Sequence, residues 1–450
     1  MLKFGTDGVR GVANTELTPE LALALGRASA RVLVDDGESL DDRRVLIGRD
    51  TRVSGTLLEA ALAAGFASQG VDVTLLGVVP TPLVAHGSVV ASIPGAMISA
   101  SHNPYPDNGI KLFAAGGRKL RDEVEQRLER ELHDVLTDVE RGRPDGDDVG
   151  VIEVASDELA TSYVDSLAAS ILSESFAGIS VVLDCAHGAA SMLAPDVVRA
   201  TGARVVVAHA EPDGVNINTD AGSTAPHVMA RIVRDAGADV GLALDGDADR
   251  LVAVDAKGHV VDGDHLLAIL AIDRKERGLL PHDAVVATVM SNLGFRQGME
   301  RHGIHVETTQ VGDRYVLERL AETGAVLGGE QSGHIIQTDV STTGDGLRSA
   351  LSVLDVMSRS GRSLADLADD AMTSLPQVLL NVRLDERRDG LLDALAEDIA
   401  AAEHRLGSHG RVLVRASGTE PLIRVMVEAP TEEQAQAEAE ALADAVWGAS

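Results

Sequence analysis

Cysteine, lysine and aromatic residues are all scarce in this sequence, and each shortage excludes something. The single cysteine, Cys185, rules out an intramolecular disulfide, and nothing indicates an oxidising compartment. One Trp, three Tyr and five Phe leave few platforms for base stacking, which disfavours binding of single-stranded nucleic acid. Only 5 of the 39 basic residues are lysines, which fits either a codon bias or a salty cytoplasm.

Long hydrophobic runs are also missing, and positive charge is outnumbered. The N-terminal segment MLKFGTDGVRG has no apolar run of the signal-peptide kind, and apolar stretches such as 266–272 are far too short to span a membrane. With 39 basic and 70 acidic residues the formal net charge is −31, so the surface repels nucleic-acid phosphates and anionic lipids. We expect a cytoplasmic protein with no nucleic-acid and no membrane partner, although a local cationic pocket can still bind a small anion.

A strand–helix–glycine–strand plan occurs three times along the 450 residues. Its Val/Ile/Leu-rich segments suit strands buried on both faces, and a glycine suits the end of the connecting helix. The three copies have first strands at 44–49, 180–185 and 284–290, helices from about residues 55, 189 and 293, and helix-ending glycines Gly70, Gly202 and Gly303. Each copy predicts a βαβ unit, and together they predict three α/β domains of about 100–150 residues.

The C-terminal segment has a different pattern. Strand-like stretches at 378–384, 411–415 and 423–427 precede a helical stretch at 431–446, with Thr431 and Gln434 placed as a capping box. We therefore predict an α/β protein with three similar α/β domains with mixed sheets and a smaller C-terminal α+β domain. Polar and proline-containing stretches suggest the divisions, which we place at 1–150, 151–255, 256–372 and 373–450.

Three aspartates, Asp245, Asp247 and Asp249, follow the strand-like segment VGLAL. Carboxylates at i, i+2 and i+4 lie on one side of an extended chain, and like charges about 4 Å apart repel by about 4 kcal/mol at an effective dielectric near 20. Such a group needs a cation or must spread apart in water, and its hard oxygen ligands suit Mg²⁺. An EF-hand does not fit, because its sixth position would be Arg250 and its twelfth Ala256. A metal site and a solvated acidic turn remain as alternatives.

The segment from residue 98 to Lys111 is rich in small residues and turn pairs, and we predict a loop. Ser101 beside His102 suggests a serine hydrolase, but G-x-S-x-G is absent and adjacent residues rarely have the geometry of nucleophile and base. Alternatively Ser101 is phosphorylated, its phosphate oxygen completes a Mg²⁺ site begun by the aspartates, and Lys111 is a proton relay or phosphate partner. A simple turn hydrogen bond of Ser101 is the third interpretation.

The motif RASGTE, with an arginine a few residues later, has the composition of an anion site. Hydroxyls and backbone N–H groups in such a turn can hold an anion, and two arginines supply charge and several donors. The residues concerned are Arg415, Ser417, Gly418, Thr419 and Arg424. An ordinary β-turn with surface arginines is the alternative.

Two further motifs are weaker when each is taken alone. Glu330 and Ser332 in GGEQSGH can accept from and donate to sugar hydroxyls or an amine, whereas a lone histidine such as His334 is more often structural. The glycines of FGTDGVRG predict a tight N-terminal loop that holds Arg10.

Taken together, these motifs resemble those of the α-D-phosphohexomutase superfamily. The order FGTDGVRG, SASHNPYPDNGIKLF, DGDADR, GGEQSGH and RASGTEPLIRVMVE matches throughout the chain. FGTDGVRGVANTELTPELAL, VGDRYVLE and GGEQSGH are similar to the branch that acts on glucosamine phosphates rather than to the phosphomannomutase/phosphoglucomutase branch. Ala248 stands where many relatives have Gly and Ala416 where many have Pro, and neither change removes a ligand.

The resemblance implies a role for each motif. It implies a phosphoserine at Ser101, with Lys111, His102 and Arg10 as further catalytic residues. The implied ligands of one Mg²⁺ per chain are Ser101, Asp245, Asp247 and Asp249. The implied substrate-binding residues are Arg250, Glu330, Ser332, Arg415, Ser417, Gly418, Thr419 and Arg424, of which the last five would hold the phosphate that does not react.

The implied activity is the interconversion of glucosamine 6-phosphate and glucosamine 1-phosphate through glucosamine 1,6-bisphosphate, a step towards UDP-N-acetylglucosamine. The resemblance also implies four domains around a central cleft, a phosphosugar as the small-molecule partner, and suggests a homodimer. The same chemistry on mannose or glucose phosphates is the nearest alternative. A serine hydrolase and a non-catalytic phosphosugar-binding module are alternatives of other classes.

Overall fold

A computed structural model of the chain describes residues 8–35, 43–138, 144–173, 175–384, 390–416 and 422–449. Within these ranges it contains 18 strands in four sheets and 15 α-helices, which confirms the predicted α/β multi-domain architecture. The chain divides into two compact units, Met1–Val289 with Ile304–Ala368, and Met290–Gly303 with Asp369–Ser450. Among the described residues, no helix is long and apolar enough to cross a lipid bilayer.

The first region of the larger unit contains a six-stranded mixed sheet. Its strands are β1 (Val9–Val12), β2 (Arg44–Arg49), β3 (Asp72–Val78), β4 (Gly95–Ile98), β5 (Asp107–Phe113) and β6 (Ile152–Val154). Its helices are α1 (Pro19–Ser29), α2 (Gly55–Ala67), α3 (Thr81–Ala91) and α4 (Asp122–Thr137). The sheet order is β1-β5-β4-β2-β3-β6; the β1–β5 and β5–β4 pairs are antiparallel and the others parallel.

The close crossing of α1 and α2 depends on glycine. A Cβ on Gly26 would lie 2.4 Å from the carbonyl oxygen of Leu62, and one on Gly65 would lie 2.3 Å from that of Leu23. Because real Cβ atoms do not come this close to backbone oxygens, both positions need glycine. The two helices thereby reach the contact distance at which Phe66 and its apolar neighbours are fully buried against the sheet.

The second region contains a five-stranded mixed sheet with the aspartate triplet at the end of its central strands. Its elements are α5 (Glu158–Ala168), β7 (Ser180–Asp184), α6 (Ala194–Ala200), β8 (Arg204–Ala208), α7 (Pro226–Ala236), β9 (Val240–Leu244), β10 (Leu251–Asp255) and β11 (Val260–Val261). In the order β11-β10-β9-β7-β8, the pairs of β7 are parallel, while β9–β10 and β10–β11 are antiparallel.

The third region contains a four-stranded mixed sheet. Its elements are α8 (Gly263–Glu276), β12 (Ala284–Thr288), α9 (Leu293–Arg301), β13 (His305–Thr309), α10 (Asp313–Thr323), β14 (Leu327–Gly329), β15 (Ile335–Gln337), α11 (Gly346–Ser360) and α12 (Leu364–Ala371). The sheet order is β13-β12-β14-β15, with only the β14–β15 pair antiparallel. Helix α9 belongs to the smaller compact unit.

The smaller unit otherwise consists of the C-terminal segment. Its elements are β16 (Gln377–Arg383), α13 (Leu391–Ala394), α14 (Ala396–Leu406), β17 (Arg411–Ala416), β18 (Leu422–Glu428) and α15 (Glu432–Ala449). The strands form an antiparallel sheet in the order β16-β18-β17, and α14 and α15 pack an apolar face against it. This is the α+β pattern predicted for the C-terminus.

The three predicted βαβ units are present, and Gly70, Gly202 and Gly303 all have the positive φ that a helix-ending glycine adopts. At the start of α15, the backbone N–H of Gln434 donates to Thr431 Oγ1 at 3.2 Å, as the capping-box pattern predicts. The helix of the second βαβ unit, α6, begins at Ala194 instead of near residue 189, because the chain makes turns between the end of β7 and Ala194.

Two loop predictions were wrong in part. Residues from Asp107 to Lys111 lie in β5, although Asn108–Gly109 is a turn-forming pair, because pairing with both β1 and β4 outweighs the local preference. Arg10 likewise lies in β1 and not in a tight loop, since β1 pairs with β5. Residues 1–7 lie outside the described residues.

The predicted divisions between domains and the central cleft remain predictions. Strand β6 extends the first sheet to Val154, four residues beyond the predicted division at 150. Helix α9 lies in the sequence range predicted for the third domain, yet it belongs to the smaller compact unit.

Candidate active site

Ser101 occupies a buried turn between β4 and β5. Its φ is 50°, in the left-handed region that a non-glycine residue adopts only when its surroundings hold it there. The backbone N–H of Ser101 donates to Ser99 Oγ at 2.9 Å, and Ser99 Oγ in turn donates to Asp50 Oδ2 at 2.7 Å. The Ser101 hydroxyl donates to Asp245 Oδ2 at 2.6 Å, so the structure brings together two motifs that are 144 residues apart.

Arg52, which the sequence interpretation missed, holds this turn. Its side chain is fully buried, its Nε donates to Asp50 Oδ2 at 2.8 Å, and its terminal nitrogens donate to four carbonyl oxygens. These oxygens belong to Ser101, Asn103, Pro104 and Asp107. A guanidinium that satisfies four carbonyls of one turn fixes its path. The GRDTR motif, which begins in the last two residues of β2, was the available signal, but a lone buried arginine is rarely recognisable from sequence.

The three aspartates lie in the turn that joins β9 to β10. All three are buried, and they place one potential ligand atom each within 4.8 Å of one another. A turn brings the three carboxylates together, and not the alternation along an extended chain that we predicted. Because all three are buried, the alternative of a solvated acidic turn is excluded. Ala248 has φ of 59°, in the left-handed region that favours glycine.

The triplet concentrates negative charge in a buried place. Burial, followed by the charges of Asp249 and Asp247, raises the pKa of Asp245 well above its usual value. Burial alone would raise the pKa of Asp249, but Lys111 and His334 outweigh it and hold that pKa well below its usual value. Oδ1 of Asp247 and Oδ1 of Asp249 are buried and accept no hydrogen bond within the described ranges. Buried carboxylate oxygens of this kind fit a divalent cation with a preference for oxygen ligands.

Lys111 extends from β5 into the same group. Its Nζ donates to Asp247 Oδ2 at 2.7 Å and to Asp249 Oδ2 at 3.1 Å, with the ammonium buried. The strand positions Lys111 because Lys111 is paired with Met97 of β4, directly ahead of the Ser101 turn. A buried ammonium between two carboxylates can partner a phosphate or transfer a proton.

His102 follows Ser101 but does not form a hydrolase dyad with it. Its Nδ1 is 3.4 Å from Ser101 Oγ, which instead makes the much shorter hydrogen bond to Asp245. Burial, with the charges of Arg250 and Arg10, lowers the pKa of His102 to about 4, so the imidazole is neutral near neutral pH.

The GGEQSGH turn packs against the residue that follows Arg250. The Leu251 N–H donates to Gly333 O at 3.0 Å, and a Cβ on Gly333 would lie 2.0 Å from Leu251 O. Glu330 is half-buried and accepts from the Gly312 N–H at 3.0 Å, while Ser332 is exposed. The structure therefore places this turn beside the loop that carries the aspartates.

His334, from the same motif, lies between two carboxylates. Its Nδ1 is 3.6 Å from Asp249 Oδ1 and its Nε2 is 3.6 Å from Asp313 Oδ2. Burial would lower the pKa of His334, but Asp249 and then Asp313 outweigh it, so the pKa is raised. Asp313 also forms an ion pair with Lys119 of the first region.

The VGDRYVLE motif connects the third region to the first. Arg314, the residue after Asp313, forms ion pairs with Asp122 and with Glu125 of α4, the latter at 2.8 Å. The sequence singled out this motif only as a mark of one branch. The structure shows that its ion pairs join helix α10 of the third region to helix α4 of the first.

In the smaller unit, Arg415 of β17 and Arg424 of β18 are direct cross-strand partners. Burial and then the charge of Arg424 lower the pKa of Arg415. The Nε of Arg424 is buried and makes no hydrogen bond with any described residue. Like charges placed opposite one another destabilise a sheet unless an anion lies between them, so the pair fits a bound anion. The predicted Ser417, Gly418 and Thr419 lie outside the described residues.

Comparison with known proteins identifies the class of protein that carries this fold and site. Four phosphoglucomutase/phosphomannomutase domain models match the chain: α/β/α domain I over residues 1–137, α/β/α domain II over 161–258, α/β/α domain III over 262–375 and the C-terminal domain over 379–445. The chain belongs to the phosphoglucomutase/phosphomannomutase family, within the phosphohexomutase superfamily, and is a mutase enzyme. This confirms the resemblance found in the sequence.

A curated relative adds the particular activity. The phosphoglucosamine mutase of Saccharopolyspora erythraea is 52% identical over 446 residues, which are 98% of each chain. The name of this relative agrees with the branch predicted from the sequence.

Two solved structures share the fold. A putative phosphomannomutase from Thermus thermophilus superimposes with a TM-score of 0.80, at 24% identity and with 99% of each chain covered. The N-acetylphosphoglucosamine mutase of Aspergillus fumigatus, in complex with GlcNAc-6P and magnesium, gives a TM-score of 0.67 at 18% identity and covers 100% of this chain and 96% of that one.

Proposed function

We propose that the chain interconverts glucosamine 6-phosphate and glucosamine 1-phosphate, with Ser101 as the residue that carries a phosphoryl group. The observation that carries this proposal is the 2.6 Å hydrogen bond from the buried Ser101 hydroxyl to Asp245, within a triplet of buried carboxylates. A hydroxyl held beside a cation site is suited to bear a group that is itself strongly negative. The name of the relative at 52% identity supports the choice of sugar.

The donor set fits Mg²⁺. Asp245, Asp247 and Asp249 would hold it, together with an oxygen of phosphorylated Ser101, because the Oδ1 atoms of Asp247 and Asp249 are buried without hydrogen bonds from described residues. When bound, the ion would neutralise charge on the transferring phosphoryl group. We propose one such ion per chain.

The residues around Ser101 provide for transfer in both directions. In the forward direction, O1 of the sugar attacks phosphorus, the bond from phosphorus to Ser101 Oγ breaks, and the proton of the sugar hydroxyl passes through a neighbouring base to Ser101 Oγ. We assign that proton to neutral His102, whose Nδ1 is 3.4 Å from Ser101 Oγ, or to Lys111, whose buried Nζ contacts Asp247 of the triplet. Arg10 and Arg250 would stabilise the phosphate oxygens, since the positive charge of each contributes to lowering the pKa of His102 beside Ser101.

The product of this first transfer is glucosamine 1,6-bisphosphate. It must reorient within the site before the second transfer, so that its other phosphate faces Ser101. Its 6-phosphate then returns to Ser101 Oγ, and glucosamine 1-phosphate is released. We assign the phosphate that is not reacting to Arg415 and Arg424, with Ser417, Gly418 and Thr419, and the sugar hydroxyls to Glu330 and Ser332. An arginine pair suits this role, because it binds a phosphate attached to either end of the sugar without needing contacts to the sugar ring.

Intact-mass measurement followed by site mapping tests the carrier. We expect a phosphoryl group on Ser101 in the purified protein, or after incubation with the bisphosphate. A protein that turns over substrate without phosphate on Ser101 at any stage would rule out this mechanism.

Comparing kcat/KM across the 6-phosphates of glucosamine, glucose and mannose tests the sugar. We expect the highest value for glucosamine 6-phosphate. A preference for glucose or mannose would move the chain to the phosphomannomutase/phosphoglucomutase alternative and leave the phosphoserine chemistry intact.

We further propose a homodimer, which the family resemblance suggests, and a cytoplasmic location, which is the expectation drawn from the sequence. Sedimentation of the purified protein over a range of concentrations tests the dimer. A single species with the mass of one chain would contradict it.

A further inference from the structure

Thr81 makes two hydrogen bonds to the central aspartate of the triplet. It is the first residue of α3 and is 1% exposed. Its backbone N–H donates to the carbonyl oxygen of Asp247 at 2.9 Å, and its Oγ1 donates to Asp247 Oδ2 at 2.6 Å. The two residues are 166 positions apart, and no sequence motif pointed to this contact.

Because of this contact, the two oxygens of the Asp247 carboxylate have different surroundings. Oδ2 accepts from Thr81 Oγ1 and from Lys111 Nζ, the latter at 2.7 Å. Oδ1 is buried and accepts no hydrogen bond from the part of the chain that the structure describes. Two donors from the first region therefore hold one oxygen and leave the other available.

The backbone around Thr81 is held independently of its hydroxyl. Pro80 is the N-cap of α3 and Pro82 follows Thr81. The proline rings fix the φ angles of the residues on both sides of Thr81. The backbone hydrogen bond to Asp247 does not depend on the side chain. A substitution of the Thr81 side chain therefore removes the effect of the hydroxyl without changing the position of α3.

We propose that Thr81 is a positioning residue of the cation site, whose hydroxyl orients the Asp247 carboxylate so that Oδ1 is available to the ion. This inference rests on the proposed Mg²⁺ site. Groups that hydrogen-bond a metal ligand fix its orientation, and their loss typically costs about 10–100-fold in metal affinity. Without the hydroxyl, the ammonium of Lys111 is the one donor to Oδ2 that remains among the described residues, and the carboxylate can rotate.

Calorimetric titration of the full-length protein with Mg²⁺ tests the inference. Thr81→Val has nearly the same shape and lacks the hydroxyl, and we expect it to bind Mg²⁺ about 10–100-fold more weakly than the unmodified chain. Thr81→Ser retains a hydroxyl at the same place and should bind within about threefold of the unmodified chain. Thermal unfolding without Mg²⁺ shows whether each variant is folded.

Thr343→Val is the matched control. Thr343 is as deeply buried as Thr81, but its Oγ1 makes no hydrogen bond to any described residue, so its loss should leave Mg²⁺ affinity unchanged. Equal Mg²⁺ affinity in folded Thr81→Val and the unmodified chain would overturn the inference. If Thr81→Val does not fold, Thr81→Ser and Thr81→Ala are compared, and equal affinities in these two also overturn it. Absence of Mg²⁺ binding by the unmodified chain would instead contradict the proposed metal site.

Discussion

The aspartate triplet and the arginine pair are opposite in charge and in origin. In the triplet, three buried carboxylates come from one turn, and two of them, Asp247 and Asp249, each have a buried oxygen that accepts no hydrogen bond from described residues. In the pair, two arginines face each other across β17 and β18, and a buried Nε of Arg424 likewise donates to no described residue. Lys111 balances part of the charge of the triplet, whereas the two arginines directly face each other's like charge. The first site therefore suits a cation and the second an anion.

The two sites also differ in how far apart their residues are in sequence. The arginine pair needs only one antiparallel strand pairing between residues nine positions apart. The triplet needs Ser101, Thr81 and Lys111 from the first region, which are 136 to 166 residues away from the aspartates they contact. We expect changes in the aspartate triplet and its partners to affect the chemical step, and changes in the arginine pair to affect substrate binding.

The largest expected effect comes from Ser101→Ala. It removes the oxygen that carries the phosphoryl group, so kcat should fall by about a thousandfold or more while sugar phosphate still binds. Steady-state kinetics and ligand titration measure the two quantities. Ser88→Ala, another buried serine whose Oγ makes no hydrogen bond within the described ranges, is the control and should retain activity. Retained turnover in Ser101→Ala would show that another group is the carrier.

Removal of Mg²⁺ should have an effect nearly as large. A chelator should abolish turnover, and added Mg²⁺ should both restore it and raise the melting temperature, because a ligand that binds only the folded state stabilises it. In Asp247→Asn both responses should be weaker, since one buried carboxylate is neutralised. Full activity in chelator would exclude the cation site.

A smaller effect, on KM and not on kcat, is expected at the second site. Hydrogen bonds to charged groups contribute about 1.5–3 kcal/mol, so Arg424→Ala should raise KM about 10–100-fold with kcat much less changed. Arg405→Ala, in the same compact unit, removes an exposed ion pair with Glu438 and should leave both constants unaltered. A fall in kcat alone would mean that Arg424 acts on the reacting phosphate.

A modest pH dependence of stability is expected from His209. Its hydrogen bond to Asp184, at 2.8 Å, raises the pKa of His209 above 6.5. The stability from this raised pKa is therefore present below about pH 6.5 and lost as pH rises through the folded-state value. Melting temperatures between about pH 6 and about pH 8 should fall less steeply in His209→Asn and in Asp184→Asn. Unchanged slopes in both variants would contradict this assignment.

The smallest effect should be at Ala248, in the turn of the triplet. With φ of 59°, alanine is strained where glycine is not, so Ala248→Gly should stabilise the fold by up to about 1 kcal/mol. Urea unfolding without Mg²⁺ measures the difference. A destabilised variant would show that the methyl group of Ala248, which is buried, contributes more by packing than the backbone strain costs.

Much of the fold was predictable because its signals are local. Apolar strands, helix-ending glycines and the Thr431 cap are set by neighbours within a few residues, and they appear in the structure where the pattern predicted them. The prediction was wrong where pairing across the sheet outweighed local preference. Asn108–Gly109 would favour a turn alone, but it lies in a central strand between β1 and β4.

By itself, the amino-acid sequence determined which residue types are present and in what local order: the serine motif, the aspartate triplet, the arginines and the strands that precede them. Only the tertiary structure decided that Ser101 donates to Asp245, that Arg52 holds the serine turn, and that Thr81 and Lys111 share one oxygen of Asp247. The reason is physical. A hydrogen bond acts over about 3 Å, and which distant residues come that close depends on how whole sheets and helices pack.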